Sequence, residues 1–278
     1  MGRRKIKKVL LYLCMAGALF VFLFPVVWAV ICSFKSEMEI IRWPPTWLPE
    51  HFTLENYQYM LENYPFLKWT FNSIVTSVCS TLLILVSASM AAYAFARLEF
   101  TGKRIIYILI VGMLLLPIQS YIIPLYLWVN KMGIRDTLAS LVLVSAANVT
   151  SVFILTNFYK TIPKELEDAA RIDGCTHFGI YWRIVLPLSK ASMSSVAIIS
   201  FITSWNSFLW PMLSLRTDKW KPLSVGVGTY VGSFLNSNGF QYGPSLAAAC
   251  MAIVPTVLVY LLLQKNFIQG ISNTGLKG

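Results

Sequence analysis

Six stretches of this chain are apolar for long enough to cross a lipid bilayer, and no other property restricts its fold as much. About 20 apolar residues in a helix span the hydrocarbon core. The stretches are residues 9–34, 70–96, 105–129, 138–159, 188–215 and 244–267. Lipid offers the backbone no hydrogen-bond partners, so these segments are expected to be helices. With 56% hydrophobic and 13% charged residues, the composition excludes an ordinary soluble domain. The expected fold class is all-α, a polytopic membrane protein with six transmembrane helices.

The net charge of +11 does not point to nucleic acid, because lysines and arginines cluster at the ends of apolar segments instead of along one face. With both termini in the cytosol, 15 of the 23 basic residues lie inside and eight outside. The positive-inside rule favours that orientation. The basic start before Val9 precedes an apolar run too long for a cleaved leader, so an uncleaved anchor is expected. The layout is then a cytosolic N-terminus over 1–8 and one membrane domain over 9–278. The segments 35–69 and 211–243 fall outside. Trp43, Trp47 and Trp220 are expected there as an aromatic belt at headgroup depth, or as a docking surface.

Five cysteines, Cys14, Cys32, Cys79, Cys175 and Cys250, are widely spaced and mostly within apolar runs, which reads as packing and not as disulfides. His51 and His177 have no ligand-type neighbours at metal spacing, so no metal site is expected. Pro117 and Pro124, seven residues apart around Gln119, predict a kink in the third span.

Residues 160–187 interrupt the apolar pattern with a charged insert. Glu165, Glu167 and Asp168 suit the first turn of a helix beginning at Ile162 or Pro163. Leu166, Ala169, Ala170 and Asp173 fall on one narrow face that a second surface could approach. Gly174 can enter the left-handed region and stop the helix, and Thr176 can cap a second one running through Phe178, Tyr181 and Ile184 to Leu186 and Pro187. The product is a cytosolic helix–turn–helix elbow. No Gly-x-x-x-x-Gly-Lys-Ser/Thr run occurs, so ATP is not expected to bind through a phosphate cradle in this chain.

Asp168-Ala169-Ala170, Gly174 and Ile184-Val185-Leu186-Pro187 match the spacing of the cytosolic loop found in permeases of ATP-binding-cassette importers. The segments Trp205–Pro211, Gln264–Phe267 and Gly275–Gly278 look like the carbohydrate branch, similar to MalG-type subunits. The family usually carries Glu where Asp168 stands and Ala where Cys175 stands. The resemblance implies a MetI-like permease fold in a prokaryotic cytoplasmic membrane. It also implies that the insert is a coupling helix seated on an ATPase, with Glu165, Glu167, Asp168, Ala169, Ala170, Asp173, Gly174, Leu186 and Pro187 at or near the contact. Implied partners are a second permease subunit, two ATPase subunits that bind ATP and magnesium, an external solute-binding protein and a sugar.

Polar side chains within spans usually face the bundle interior, which makes Asn72, Gln119, Asn148, Thr150, Trp205 and Asn206 candidates for a substrate pathway. Interhelical hydrogen bonding is the simpler explanation of each residue taken alone. No span holds an acidic residue, which argues against ion-coupled transport. No nucleophile with a positioned base is evident, so catalysis is not expected. A permease for a non-sugar solute such as a glycerol phosphate, and a membrane receptor or enzyme without ATPase partners, stay open.

Overall fold

The computed structural model describes the backbone of residues 2–237 and 241–275, and the side chains of residues 7–230 and 241–261. The described residues form helices α1 (Gly2–Ser33), α2 (Glu37–Ile41), α3 (Glu55–Asn63), α4 (Phe66–Arg97), α5 (Lys103–Gly112), α6 (Ile122–Lys131), α7 (Leu138–Ser145) and α8 (Val149–Thr161). Then come α9 (Glu165–Ile172), α10 (His177–Ile180), α11 (Leu186–Leu188), α12 (Lys190–Trp205), α13 (Leu209–Ser214), α14 (Leu223–Ser237) and α15 (Tyr242–Gly275). The chain divides into two compact units, one of residues 1–67 with 227–254 and the other of residues 68–226 with 255–278.

Among the described residues, four helical stretches are long and apolar enough to cross a membrane by themselves: Lys7–Ser33, Phe66–Arg97, Leu138–Thr161 and Tyr242–Leu261. A fifth emerges only if the bent pair His177–Leu188 and Lys190–Trp205, which meet at 78°, is taken as one span. Four or five of the six expected spans are thus of membrane length as single or bent helices. The third segment is broken: α5 ends at Gly112, two short 3-10 turns follow around Pro117, and α6 starts at Ile122. Pro117 is extended, at φ −66° and ψ 142°, and its missing N–H and bulky ring end the helix ladder there. Pro124 lies in the first turn of α6, where its N–H would have no intrahelical partner anyway.

Two further breaks fall inside expected spans. The ladder pauses between α7 and α8, where the Ala146 carbonyl accepts from Ser87 Oγ at 2.8 Å and Asn148 caps α8. It pauses again between α12 and α13, where the Ser207 carbonyl accepts from Ser224 Oγ at 2.6 Å. Hydroxyls from neighbouring helices thus replace bonds that lipid could not supply. The segment 211–243, read from sequence as an outer loop, contains α14. Gly226 of α14 lies so close to the indole of Trp69 that a Cβ there would overlap the ring.

In the first unit, the residues after α1 form an ordered polar knot. Lys35 is buried, donates to the Thr46 hydroxyl at 3.0 Å and to the Thr46 carbonyl, and lies over the Trp28 ring. Glu39 accepts from Thr46 Oγ1 at 2.6 Å and from the Glu50 N–H at 3.0 Å. Burial would raise the Glu39 pKa, but these bonds and Lys35 outweigh it and hold the carboxyl below the usual range. Asn56 donates to the carbonyls of Ser33 and Lys35 at 2.8 Å each. Trp47 packs edge-on against Trp28 and Phe24 of α1, whereas Trp43 is exposed.

Among its described residues, the second unit has two apolar cores. One joins Ile84, Ala88, Ala92, Tyr93 and Phe95 of α4 to Leu155 and Tyr159 of α8, Ala170 of α9, and Ile180, Tyr181 and Val185 beyond it. Its alanines admit close packing of helices. The other gathers Val129, Leu141, Trp210 and Leu215, where Trp210 Nε1 donates to the Ser140 carbonyl at 3.2 Å.

Candidate functional site

The elbow begins later than the sequence suggests. Ile162 is extended, at φ −69° and ψ 130°, because the ring of the following proline excludes the helical region. Lys164 takes the cap position and α9 starts at Glu165. At the other end, Gly174 sits at φ +81°. Its N–H bonds to the Arg171 carbonyl at 3.0 Å and the Cys175 N–H to the Ala170 carbonyl at 2.9 Å, the paired bonds of a Schellman turn. Thr176 caps α10 by accepting from the Gly179 N–H at 3.2 Å.

Between α10 and α11 the helix widens into a π turn over Tyr181–Val185. Pro187 lacks an N–H and its ring crowds the preceding turn, so a wider turn relieves both faults. The direction then changes at Ser189, which is fully buried and donates from Oγ to the Leu186 carbonyl at 2.9 Å.

The elbow leaves most of the stripe expected to meet a second surface open. Leu166, Ala169 and Asp173 are exposed, and only Ala170 of that set packs into the core. Glu167 is buried instead. Its Oε1 lies 2.7 Å from Arg97 Nε at the end of α4, with both side chains at most 4% exposed. Arg97 also donates to the Ile162 carbonyl. One guanidinium thereby places its charge against the carboxylate and donates to a carbonyl just before α9, and the opposite charges offset the cost of burying the pair. Glu165, Asp168, Gly174 and Pro187 face outward and Leu186 is half-buried. Asp168 makes an exposed pair with Arg171 at 3.3 Å, which leaves its carboxylate accessible. Ile172 is 87% exposed, Phe178 63% and Trp182 60%, so large apolar side chains lie open at and beyond the C-terminal end of the acidic helix α9.

The pathway candidates occupy the broken spans or their neighbours. Gln119 lies in the exposed 3-10 turn after Pro117. Asn148 accepts from the Ser151 N–H at 2.9 Å at the start of α8, and Thr150 is exposed two residues on. Trp205 is buried and stacks on Phe201, and Asn206 ends α12 by donating to the Ile202 carbonyl at 3.0 Å. Asn72 lies apart from the breaks: it is buried in α4, and its amide donates to the carbonyls of Lys219 and Lys221 at 3.1 and 3.0 Å.

Sequence reasoning missed Arg97 and Tyr181. Arg97 reads as one more basic residue at a span end, and Tyr181 as one more aromatic. Only the pairing of a buried-type acid in the elbow with a lone arginine some 70 residues earlier could have suggested the contact. Among the described residues no cluster of His, Cys, Asp and Glu could hold a metal ion.

Residues 84–273 match the family described as "Binding-protein-dependent transport system inner membrane component". The chain is 33% identical over 282 residues to the arabinooligosaccharides transport system permease protein AraQ of Halalkalibacterium halodurans, covering 99% of this chain and 100% of that protein. It is 33% identical over 251 residues to the diacetylchitobiose uptake system permease protein NgcG of Streptomyces coelicolor, covering 89% and 82%. A chain of a bacterial ABC transporter that imports the acidic polysaccharide alginate superposes with a TM-score of 0.85 at 22% identity, over 96% of this chain and 98% of that one. At this identity the likeness is one of fold.

Proposed function

Because the chain belongs to the binding-protein-dependent transport system inner membrane component family, and is a non-catalytic permease subunit, we propose that its cargo is an oligosaccharide. The AraQ and NgcG relatives are named for arabinooligosaccharide and diacetylchitobiose transport. Neutral sugars need hydroxyl partners and a flat apolar face, which asparagine and tryptophan provide. Gln119, Asn148, Thr150, Trp205 and Asn206 line the pathway at the broken spans, and Asn72 stands near its outer end. Irregular backbone at membrane depth is tolerated where it borders protein or a water-filled cavity, which supports that assignment.

Six crossings follow if α5 with α6, α7 with α8, and α12 with α13 each count as one interrupted span beside α1, α4 and α15. An even number puts both termini on one side, the cytosolic one by the distribution of lysine and arginine. The working assembly is this chain, a second related permease subunit, two ATPase subunits and an external solute-binding protein. The elbow is the ATPase seat: Glu165, Asp168, Ala169, Asp173 and Gly174 form the contact, and Glu167, Ala170, Leu186 and Pro187 hold it in shape.

The observation that carries this reading is the pairing of a buried, ion-paired inner face of α9 with an outer face of uncovered acids and large apolar groups. Extraction of the tagged chain in mild detergent should bring ATPase subunits with it. Cells carrying the intact assembly should accumulate labelled arabino-oligosaccharide or chito-oligosaccharide against a gradient. A chain that purifies without any nucleotide-binding companion would refute the coupling role, and accumulation of neither sugar class would refute the cargo.

A further inference from the structure

One face of α4 meets the elbow at three successive turns. Arg97 pairs with Glu167 at 2.7 Å, the Tyr93 ring packs on the Tyr181 ring at 5.4 Å between centroids, and Ser89 Oγ shares a 2.7 Å hydrogen bond with Tyr181 Oη. Residues 89, 93 and 97 are four apart and therefore aligned along the helix. All of the side chains in these contacts are buried. Tyr181 opens the π turn, so the least regular part of the elbow is the part held by α4.

The other end of the same helix is anchored as firmly. Asn72 donates to the carbonyls of Lys219 and Lys221, Ser73 Oγ accepts from the Leu223 N–H at 2.7 Å, and Trp69 lies flush against Gly226. Between Asn72 and Arg97 the helix contains no glycine and no proline, the usual causes of kinks. Twenty-five residues at 1.5 Å each separate the two anchor points, or about 37 Å.

We infer that α4 is a rigid strut that carries movement of the elbow to the segment 219–226 on the opposite side of the membrane, with Arg97, Tyr181 and Asn72 as its positioning residues. The inference rests on the proposed role of the elbow as an ATPase seat, and adds to it the element that the seat drives. An input at α9 reaches α4 through contacts with no solvent between them, and packed interfaces transmit discrete shifts well. The far end then presses on two carbonyls that accept from one asparagine amide, so the outer segment follows.

Hydrogen–deuterium exchange on the purified importer complex, without nucleotide and trapped with ATP and vanadate, tests this. In the unaltered complex, peptides covering 164–188, 84–98 and 216–226 should all change protection on trapping. Tyr181→Phe removes one hydroxyl and keeps the ring; Ser73→Ala loosens the outer anchor alone. Each should leave nucleotide-free protection unchanged and keep the response at 164–188, while the response at 216–226 falls at least threefold. Tyr181→Phe should also reduce the response at 84–98, and Ser73→Ala should not. An undiminished response at 216–226 in both variants overturns the strut. So does a general loss of protection without nucleotide, which would mean a purely structural role. Failure of ATPase subunits to copurify with the unaltered chain would overturn the seat itself, and that is visible before any exchange is measured.

Discussion

Replacing Gly174 separates the two reasons for which a glycine is retained. Its φ of +81° lies where a Cβ is unfavourable, yet a Cβ built there would meet no atom within 4 Å. Gly174→Ala therefore carries only the backbone cost, about 1–2 kcal/mol, and recovers about 0.4–1 kcal/mol because the unfolded chain loses freedom. The net loss is about 1 kcal/mol, roughly a fivefold rise in local opening of the elbow. Gly174→Asn should recover most of it, since asparagine tolerates this conformation. Amide exchange at Cys175, whose N–H closes the turn on Ala170, measures the opening directly. Gly174→Trp should fold about as well as the alanine variant, because space is free, but should displace the ATPase subunits during purification. A loss above about 3 kcal/mol for alanine, or asparagine no better than alanine, would refute the assignment of the cost to φ.

Three other outcomes follow from the geometry. Glu167→Ala leaves Arg97 buried without its counter-ion and should destabilise the elbow by about 3–5 kcal/mol, visible as loss of the thermal transition in detergent. Asp136 accepts from the N–H groups of Arg216 and Thr217 and from the Thr217 hydroxyl, and the Thr217 N–H, the largest of these influences, holds its pKa below the usual range. Its contribution is complete above an ordinary aspartate pKa of about 3.9 and disappears as pH falls through the lower folded value. Protection of the 214–217 segment should therefore drop below about pH 4 in the unaltered protein and stay flat in Asp136→Asn. Gly243→Ala would drive a Cβ into the Asn56 amide, breaking one or both of its bonds to Ser33 and Lys35, and should lower stability by about 1–3 kcal/mol in calorimetry.

The charged insert was legible as an elbow because its signals are local. A glycine placed for a left-handed turn, a threonine for the next cap and acids for a helix start act within four residues of themselves. The four stretches long and apolar enough to cross by themselves were legible for a related reason, since length and apolarity alone define them. The breaks were only half legible. Pro117 announces one, but the gaps at Ala146 and Ser207 depend on Ser87 and Ser224 arriving from elsewhere to take the released carbonyls.

By itself, the sequence determined that this chain lives in lipid, that one polar insert leaves the apolar pattern, and that the insert bends at Gly174. Tertiary structure decided which face of α9 is sealed and which is offered outward. That choice rests on Arg97, some 70 residues away, because a carboxylate leaves water at tolerable cost only where a cation awaits it. Periodicity along a helix ranks faces by their own side chains and carries no record of what a distant helix brings to them.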